Sequence, residues 1–284
     1  MDLILSESEK RFIVDGVKDN CRVDGRECFD YRCIDVESDV ISSCAGSGHI
    51  RLGNCEIMVG VKCEFSEPSL DESDVGKLEF FVDVSPNASP LFDRKKDSIS
   101  NNLIAALSHS ITPCIDLHSL CVEKGKYVWT VFIDILVLEL GSRPNLLDAC
   151  AIAVKAALYN TKIPKVTIDC ETNEPTVSEN EIIRIDVSRV PLFITVTRIG
   201  NQYVVDATQE EEASSISSVL FAITPDGEIT HMKKVKYGSL CPEPLKDVFH
   251  KVKDLAIDMH RNLMNALIEE SKVRKSTNKI SFLF

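Results

Sequence analysis

The chain has 284 residues, 44% of them hydrophobic, enough to bury a substantial core as one large domain or as two smaller ones sharing an interface. Acidic residues outnumber basic ones by 44 to 32, which disfavours nucleic-acid binding by the isolated chain unless its cations gather on one surface. The 11 cysteines form no CxxC pair and sit mostly inside apolar patterns, so they read as reduced core residues of a reducing compartment, not as zinc ligands or a disulfide framework.

The opening MDLILSESEK brings in charge at Glu7 and has no apolar region long enough for a signal peptide. No stretch approaches the roughly 20 uncharged apolar residues of a membrane span. The expectation is a soluble protein with no membrane partner. Ser6 and Glu9 have capping-box spacing, and Phe12, Ile13 and Val17 predict a short amphipathic helix ending near Gly16, within an N-terminal helical segment 1–20. A turn-rich stretch follows. Ile57, Val59, Val61, Cys63 and Phe65 then alternate as in a half-buried strand, and Leu78, Phe80, Val82 and Val84 repeat the pattern. These two strands are expected to pair as neighbours across the acidic loop EPSLDESDVGK.

Ser98 is placed to cap a helix marked by Ile99, Leu103, Ala106 and Leu107, with Pro113 beyond its end. YVWTVFIDILVLEL, 127–140, is apolar on both faces and predicts a central strand covered on both sides. Leu146, Leu147, Cys150, Ala151, Val154, Ala157 and Leu158 form the next helical stripe. Residues 169–181, polar, acidic and aperiodic, are expected to connect a first half, 21–168, to a second, 182–270. In the second half IIRIDVS, PLFITVTRIG, QYVVDATQ, SISSVLFAIT and EITHMKKVKYG read as strands, with PDG at 225–227 a hairpin turn. Pro244 opens a long helix whose buried face is Leu245, Val248, Phe249, Val252, Leu255, Ala256, Met259 and Leu263. The tail 271–284 reads as a frayed terminus, in which Lys272, Arg274 and Lys275 form a weak nuclear-address pattern. The whole predicts an α+β fold of two sheet-plus-helix halves.

Gly141-Ser142-Arg143 raises the question of an anion cradle, because small residues free backbone N–H groups and arginine adds a charged fork. Pro144 removes one donor. With Asn145 as N-cap, Asp148 falls at the third helical position and its carboxylate takes the anion's place. His109 and His118 have no evident partner and read as surface or core histidines. For RNA there remain the triplet Arg94, Lys95 and Lys96, which competes with a reading as solvated loop charges, and Arg22, Arg26, Arg32 and Arg51. Arg22 and Arg26 also fit a structural role, as ion pairs at a subunit boundary.

RVDGR at 22–26, GSGHIRLGNCEIMVGVKCEF at 46–65 and VDATQEEE at 205–212 occur in order with VSPNASPLF, YVWTVFIDILVLE and LLDACAIAVKAAL between them. Together they resemble the RNase PH family over nearly the whole chain, to about residue 265. Within that family the chain is most similar to the non-catalytic ring subunits of the eukaryotic RNA exosome. The resemblance implies an RNase PH-like fold whose first half is ribosomal protein S5 domain 2-like. It implies paralogous RNase PH-like partners in a hetero-hexameric ring, small RNA-binding cap subunits, and RNA threaded through the channel to a hydrolytic exonuclease. It also implies location in the nucleus, including the nucleolus, and in the cytoplasm, with no cofactor and no metal.

Active family members grip phosphate with a glycine-threonine/serine-arginine loop at this helix start and use an aspartate pair later on. Here Asn145 to Ala149 matches the inactive subtype, which makes Gly141-Ser142-Arg143 a chance match. Asp206 matches the first aspartate, but Glu212, longer by a methylene, stands six residues on, and Glu210 to Glu212 read as a solvated acidic face. No arginine lies on the helix 98–111, where active members line the RNA path. The expectation is therefore no catalytic residue. The alternative is a phosphate-dependent 3′-to-5′ exoribonuclease with Arg143 on phosphate and Asp206 with Glu212 as acid and metal-binding carboxylates.

Overall fold

The structure, a computed structural model, describes residues 5–68, 73–86, 88, 96–140, 143–168, 175–236, 238–240 and 242–277. Helix α1 (Glu7–Lys18) begins in the expected capping box: the Ser6 hydroxyl accepts from Glu9 N–H and the Glu9 carboxylate accepts from Ser6 N–H. Ile13 and Val17 are its buried face, while Phe12 stays in solvent.

The first half is a six-stranded sheet of β1 (Ile34–Ser38), β2 (Gly46–Leu52), β3 (Cys55–Ser66), β4 (Lys77–Val84), β5 (Cys121–Glu123) and β6 (Tyr127–Glu139). The order is β1-β2-β3-β6-β4, with β5 also on β6. The two strands expected to be neighbours, β3 and β4, do not pair. β6 lies between them, antiparallel to β3 and parallel to β4. A parallel pair needs a long crossover, and helix α2 (Lys96–Ile111) lies within it, starting two residues before the expected Ser98 cap. Residues Ile57, Val59 and Val61 of β3 and Ile133 and Ile135 of β6 share one buried face. The opposite face buries Val128 and Thr130 but leaves Leu136 and Phe81 exposed, so β6 is covered on both sides only over its first part.

Helix α3 (Arg143–Asn160) is the middle layer of the molecule. It packs on β2 and β3 on one side and on β9 (Leu192–Ile199) on the other, so Ala149 to Leu158 are buried all round and not along a stripe. Glycines make this approach possible. A Cβ on Gly46 would lie 2.6 Å from the Ala157 carbonyl oxygen, and one on Gly48 2.9 Å from that of Ala153.

Part of the expected connector is a strand: β8 (Pro175–Ile183) pairs with β7 (Ile163–Ile168) in a two-stranded hairpin, and its polar residues suit a ribbon open to water. The segment 184–188, expected as a strand, is irregular. The second sheet has the order β10-β9-β11-β12, with β10 (Gln202–Val205), β11 (Ser217–Ile223) and β12 (Ile229–Lys236). Between β10 and β11 lies the short helix α4 (Gln209–Ser214). Helix α5 (Pro242–Thr277) covers this sheet through Val248, Val252 and Ala256. It starts two residues before Pro244 and takes in seven residues, 271–277, of the tail expected to fray. Lys272 is exposed, and the side chains of Arg274 and Lys275 lie outside the described residues.

Polar ties join α5 to the rest. Lys155 of α3 donates to the Val190 carbonyl at 2.7 Å and to His260 Nδ1 at 2.9 Å, and His260 Nε2 donates to the Ile223 carbonyl at 2.9 Å. This arrangement needs a neutral imidazole, and burial together with the Lys155 charge holds His260 down at about 4. Farther along, the Glu270 carboxylate accepts from the N–H and hydroxyl of Ser38.

Gly46→Val is expected to cost about 1–3 kcal/mol, since neither the α3 backbone nor β2 can yield without disturbing a filled core. The check is the urea midpoint of unfolding at unchanged slope. A variant as stable as the parent would show that the glycine does not set the helix-to-sheet distance.

Candidate functional site

Two of the stretches that carry the family resemblance, RVDGR and VDATQEEE, meet beside the β2–β3 turn of a third. After β10 the chain turns at Asp206, whose φ of 46° is left-handed, a conformation aspartate tolerates better than most residues. The turn sends its side chain back toward 22–32. Asp206 Oδ1 accepts from Arg32 Nη2 at 2.7 Å, and Oδ2 accepts from Arg26 Nη1 at 2.8 Å and from Arg32 Nε and backbone N–H at 2.9 Å each. Both oxygens accept from arginine donors, and the residue has no exposed surface.

Arg22 sits beneath this carboxylate and uses every donor it has. Its fork pairs with Glu211, Nε to Oε1 at 2.8 Å and Nη2 to Oε2 at 2.6 Å. The remaining N–H groups reach the carbonyls of Asp206 at 2.8 Å, Val205 at 3.0 Å and Asp30 at 3.3 Å. Glu211 also closes a capping box with Thr208 at the start of α4. The run Glu210 to Glu212 is thus not a uniformly solvated face: Glu210 is exposed and Glu211 is fully inside. Glu212 is half-buried, and its carbonyl accepts from Lys236. Arg22 and Arg26 do form ion pairs, but the partners lie within the chain. Gly53 of the β2–β3 turn, at φ 56°, completes the setting, since a Cβ there would come within 2.5 Å of Arg32 Cζ.

The start of α3 joins the same cluster, in a way that corrects the expected cap. The helix begins at Arg143, which puts Pro144 in its first turn, where its missing N–H is harmless. Asn145 is therefore inside the helix, with Nδ2 donating to the Ala207 carbonyl at 3.1 Å. Asp148 lies beyond the first turn and does not occupy an anion's place at the helix end. It is fully buried and accepts from Tyr31 Oη at 2.8 Å, Thr195 Oγ1 at 2.7 Å and Thr195 N–H at 3.0 Å. Burial pushes its carboxyl up to about 7 despite these bonds.

The other candidates do not converge here. Gly141, Ser142, Arg94 and Lys95 lie outside the described residues, as do the side chains of Arg143 and Lys96. Arg51 makes a surface pair with Glu56 at 3.0 Å. His109 is exposed with its ring 6.3 Å from that of His231, and His118 lies exposed near the Asp74 carbonyl. Among the described residues no group of three or more His, Cys, Asp or Glu could hold a metal ion. Sequence reasoning missed Tyr31 and Glu211. The signal for Glu211 was present, because Thr208 and Glu211 have capping-box spacing.

Removing either partner of the buried Arg22–Glu211 pair is expected to cost about 3–5 kcal/mol, because the other charge is left inside. Arg22→Lys should not rescue, since an ammonium cannot replace the fork. A double-mutant cycle of denaturation midpoints checks the coupling. For Asp148, a pKa raised from 3.8 to about 7 means that the folded state holds an extra proton between those values, so this contribution to stability is lost as pH rises through about 7. Asp148→Asn is expected to match the parent near pH 4 and to gain on it up to about pH 7, read from midpoints across that range. The opposite slope from His260 is common to both proteins and cancels in the difference.

Residues 30–164 match domain 1, and residues 189–250 domain 2, of the 3′ exoribonuclease family, RNase PH. Exosome complex component Rrp42 of Sulfurisphaera tokodaii is 34% identical over 272 residues, 95% of either chain. An RRP42 of Dictyostelium discoideum, named as an exosome complex exonuclease, is 30% identical over 94% of this chain and 98% of its own. Among solved structures, a chain of an archaeal exosome core superposes with a TM-score of 0.74 at 26% identity, over 91% of this chain and 97% of its own. The two domain matches cover both halves, so the chain belongs to the RNase PH family.

Proposed function

We propose that this protein is a ring subunit of an RNA exosome, supporting 3′-to-5′ RNA processing and degradation by shaping the path to an associated exonuclease, and that it performs no phosphorolysis itself. The exosome part rests on the Rrp42 relatives and on the likeness to the archaeal core. The observation that carries the second part is the enclosure of Asp206: four N–H groups hold its two oxygens, and the residue is completely buried. A carboxylate that must accept or deliver a proton, or bind a metal, needs a face open to substrate. Opening this one would strip two arginines of their partner. Paralogous RNase PH-like chains would complete the ring, with cap subunits and a hydrolytic exonuclease beside it.

The name of the Dictyostelium relative favours a second reading, an exoribonuclease using inorganic phosphate. In that case Arg143, at the start of α3, would bind the phosphate. The test is phosphate-dependent release of nucleoside diphosphates from RNA by the complex isolated from its own cells. Arg143→Ala is expected to leave the rate within about twofold of the parent, and a fall of about a hundredfold would assign phosphate binding to Arg143 and sink the non-catalytic reading.

A further inference from the structure

The two most exposed large apolar side chains among the described residues, Phe12 and Val23, are each 69% exposed and line the same groove. The groove, about 580 Å³, runs between α1 and the turn at 22–26 and reaches the start of α4. Leu5 and Ile13 add to its apolar lining, and Glu9, Asp24 and Glu210 bring carboxylates to it. No lysine or arginine lines it among the described residues. Asp24 shares its charge with Arg26 at 2.7 Å, while Glu9 and Glu210 are open to solvent.

The walls are fixed before anything binds. Ile13 and Val17 hold α1 against Ile199, Val204 and Ala207, Arg22 and Arg26 pin the turn to Asp206, and the buried Glu211 holds α4. A scattered exposed phenylalanine means little, but two large apolar groups on one rigid concave surface form a docking surface that loses little entropy on binding. The carboxylates select its occupant. They repel a phosphodiester backbone and attract lysine or arginine.

We propose that this groove receives an extended segment of a neighbouring protein subunit, carrying an apolar side chain close in sequence to a lysine or arginine. The inference rests on the ring-subunit reading and goes further, by naming the surface and the chemistry of the partner. Phe12 and Val23 would supply the buried contact, with Glu9 and Glu210 setting charge preference at the rim.

The test places a photo-reactive benzoylphenylalanine at position 12 in the full-length protein, expressed in its own cells, and maps the cross-links in the purified complex. The expected product is one segment of a co-purifying subunit, with Lys or Arg within about three residues of the linked apolar side chain. Glu210→Lys should lower the cross-link yield about tenfold without changing the denaturation midpoint of the chain, because the residue is exposed. An intact complex with no cross-link at position 12, or one linked to RNA or to a second copy of this chain, would overturn the proposal. The native mass of the same preparation separates the two readings. A complex lacking paralogous subunits would refute the ring assignment, and the cross-link map would still decide the groove.

Discussion

The arrangement of the molecule depends on a carboxylate, Asp206, held from two sides by Arg26 and Arg32 while its own carbonyl accepts from Arg22. These contacts join residues 22–32 to a turn about 180 positions away, a separation that burial of apolar area would not by itself resolve into one register. Directional bonds do so. Arg22 brings in Glu211 and thereby orients α4, and Tyr31 brings in Asp148 and thereby orients α3 against β9. The groove beside α1 inherits its shape from the same contacts.

Such a cluster is not the cheapest way to fill a core, because removing charges from water costs several kcal/mol per ion and Coulomb attraction returns only part of it. What lowers the cost here is completeness. Arg22 has an acceptor for each N–H, Asp206 has donors on both oxygens, and three guanidinium groups face the three carboxylates of Asp24, Asp206 and Glu211. Local charge is balanced without any ligand. An incoming phosphate would find no unspent donor on the buried Arg22, and Arg32, which keeps its Nη1 outside the bonds to Asp206, would meet it with its charge already paired, unlike the pre-organised anion sites that phosphoryl chemistry uses.

Elements whose identity follows from local chemistry were legible in the sequence. The Ser6 and Glu9 box, the alternation in β3 from Ile57 to Val61 and the period of α5 appear as read, because capping and periodicity are properties of a short window. Phe65, at the far end of β3, is exposed. Sheet order was not legible, since alternation in β3 and β4 says which face is buried and nothing about the partner, and β6 took the place between them. The site followed the same division. RVDGR and VDATQEEE stood out as pieces, but their meeting needed the fold, and the choice of Glu211 over Glu212 needed the rotation of α4. For α3 the clue was misweighed: Pro144 is at home in a first turn and points to a helix starting before Asn145.

The residues that made the family recognisable are mostly those that the backbone itself requires. Gly46 and Gly48 admit α3, Gly53 admits Arg32, and Arg22, Arg26 and Asp206 hold the halves in register. Each would be needed by a chain of this shape whether or not it turned over RNA. A match through such residues therefore speaks for architecture, and activity has to be argued from groups with a face open to substrate. Asp206 has none, whereas one surface that does stay open, around Phe12 and Val23, is apolar and acid-rimmed and suits a protein partner better than a nucleic acid.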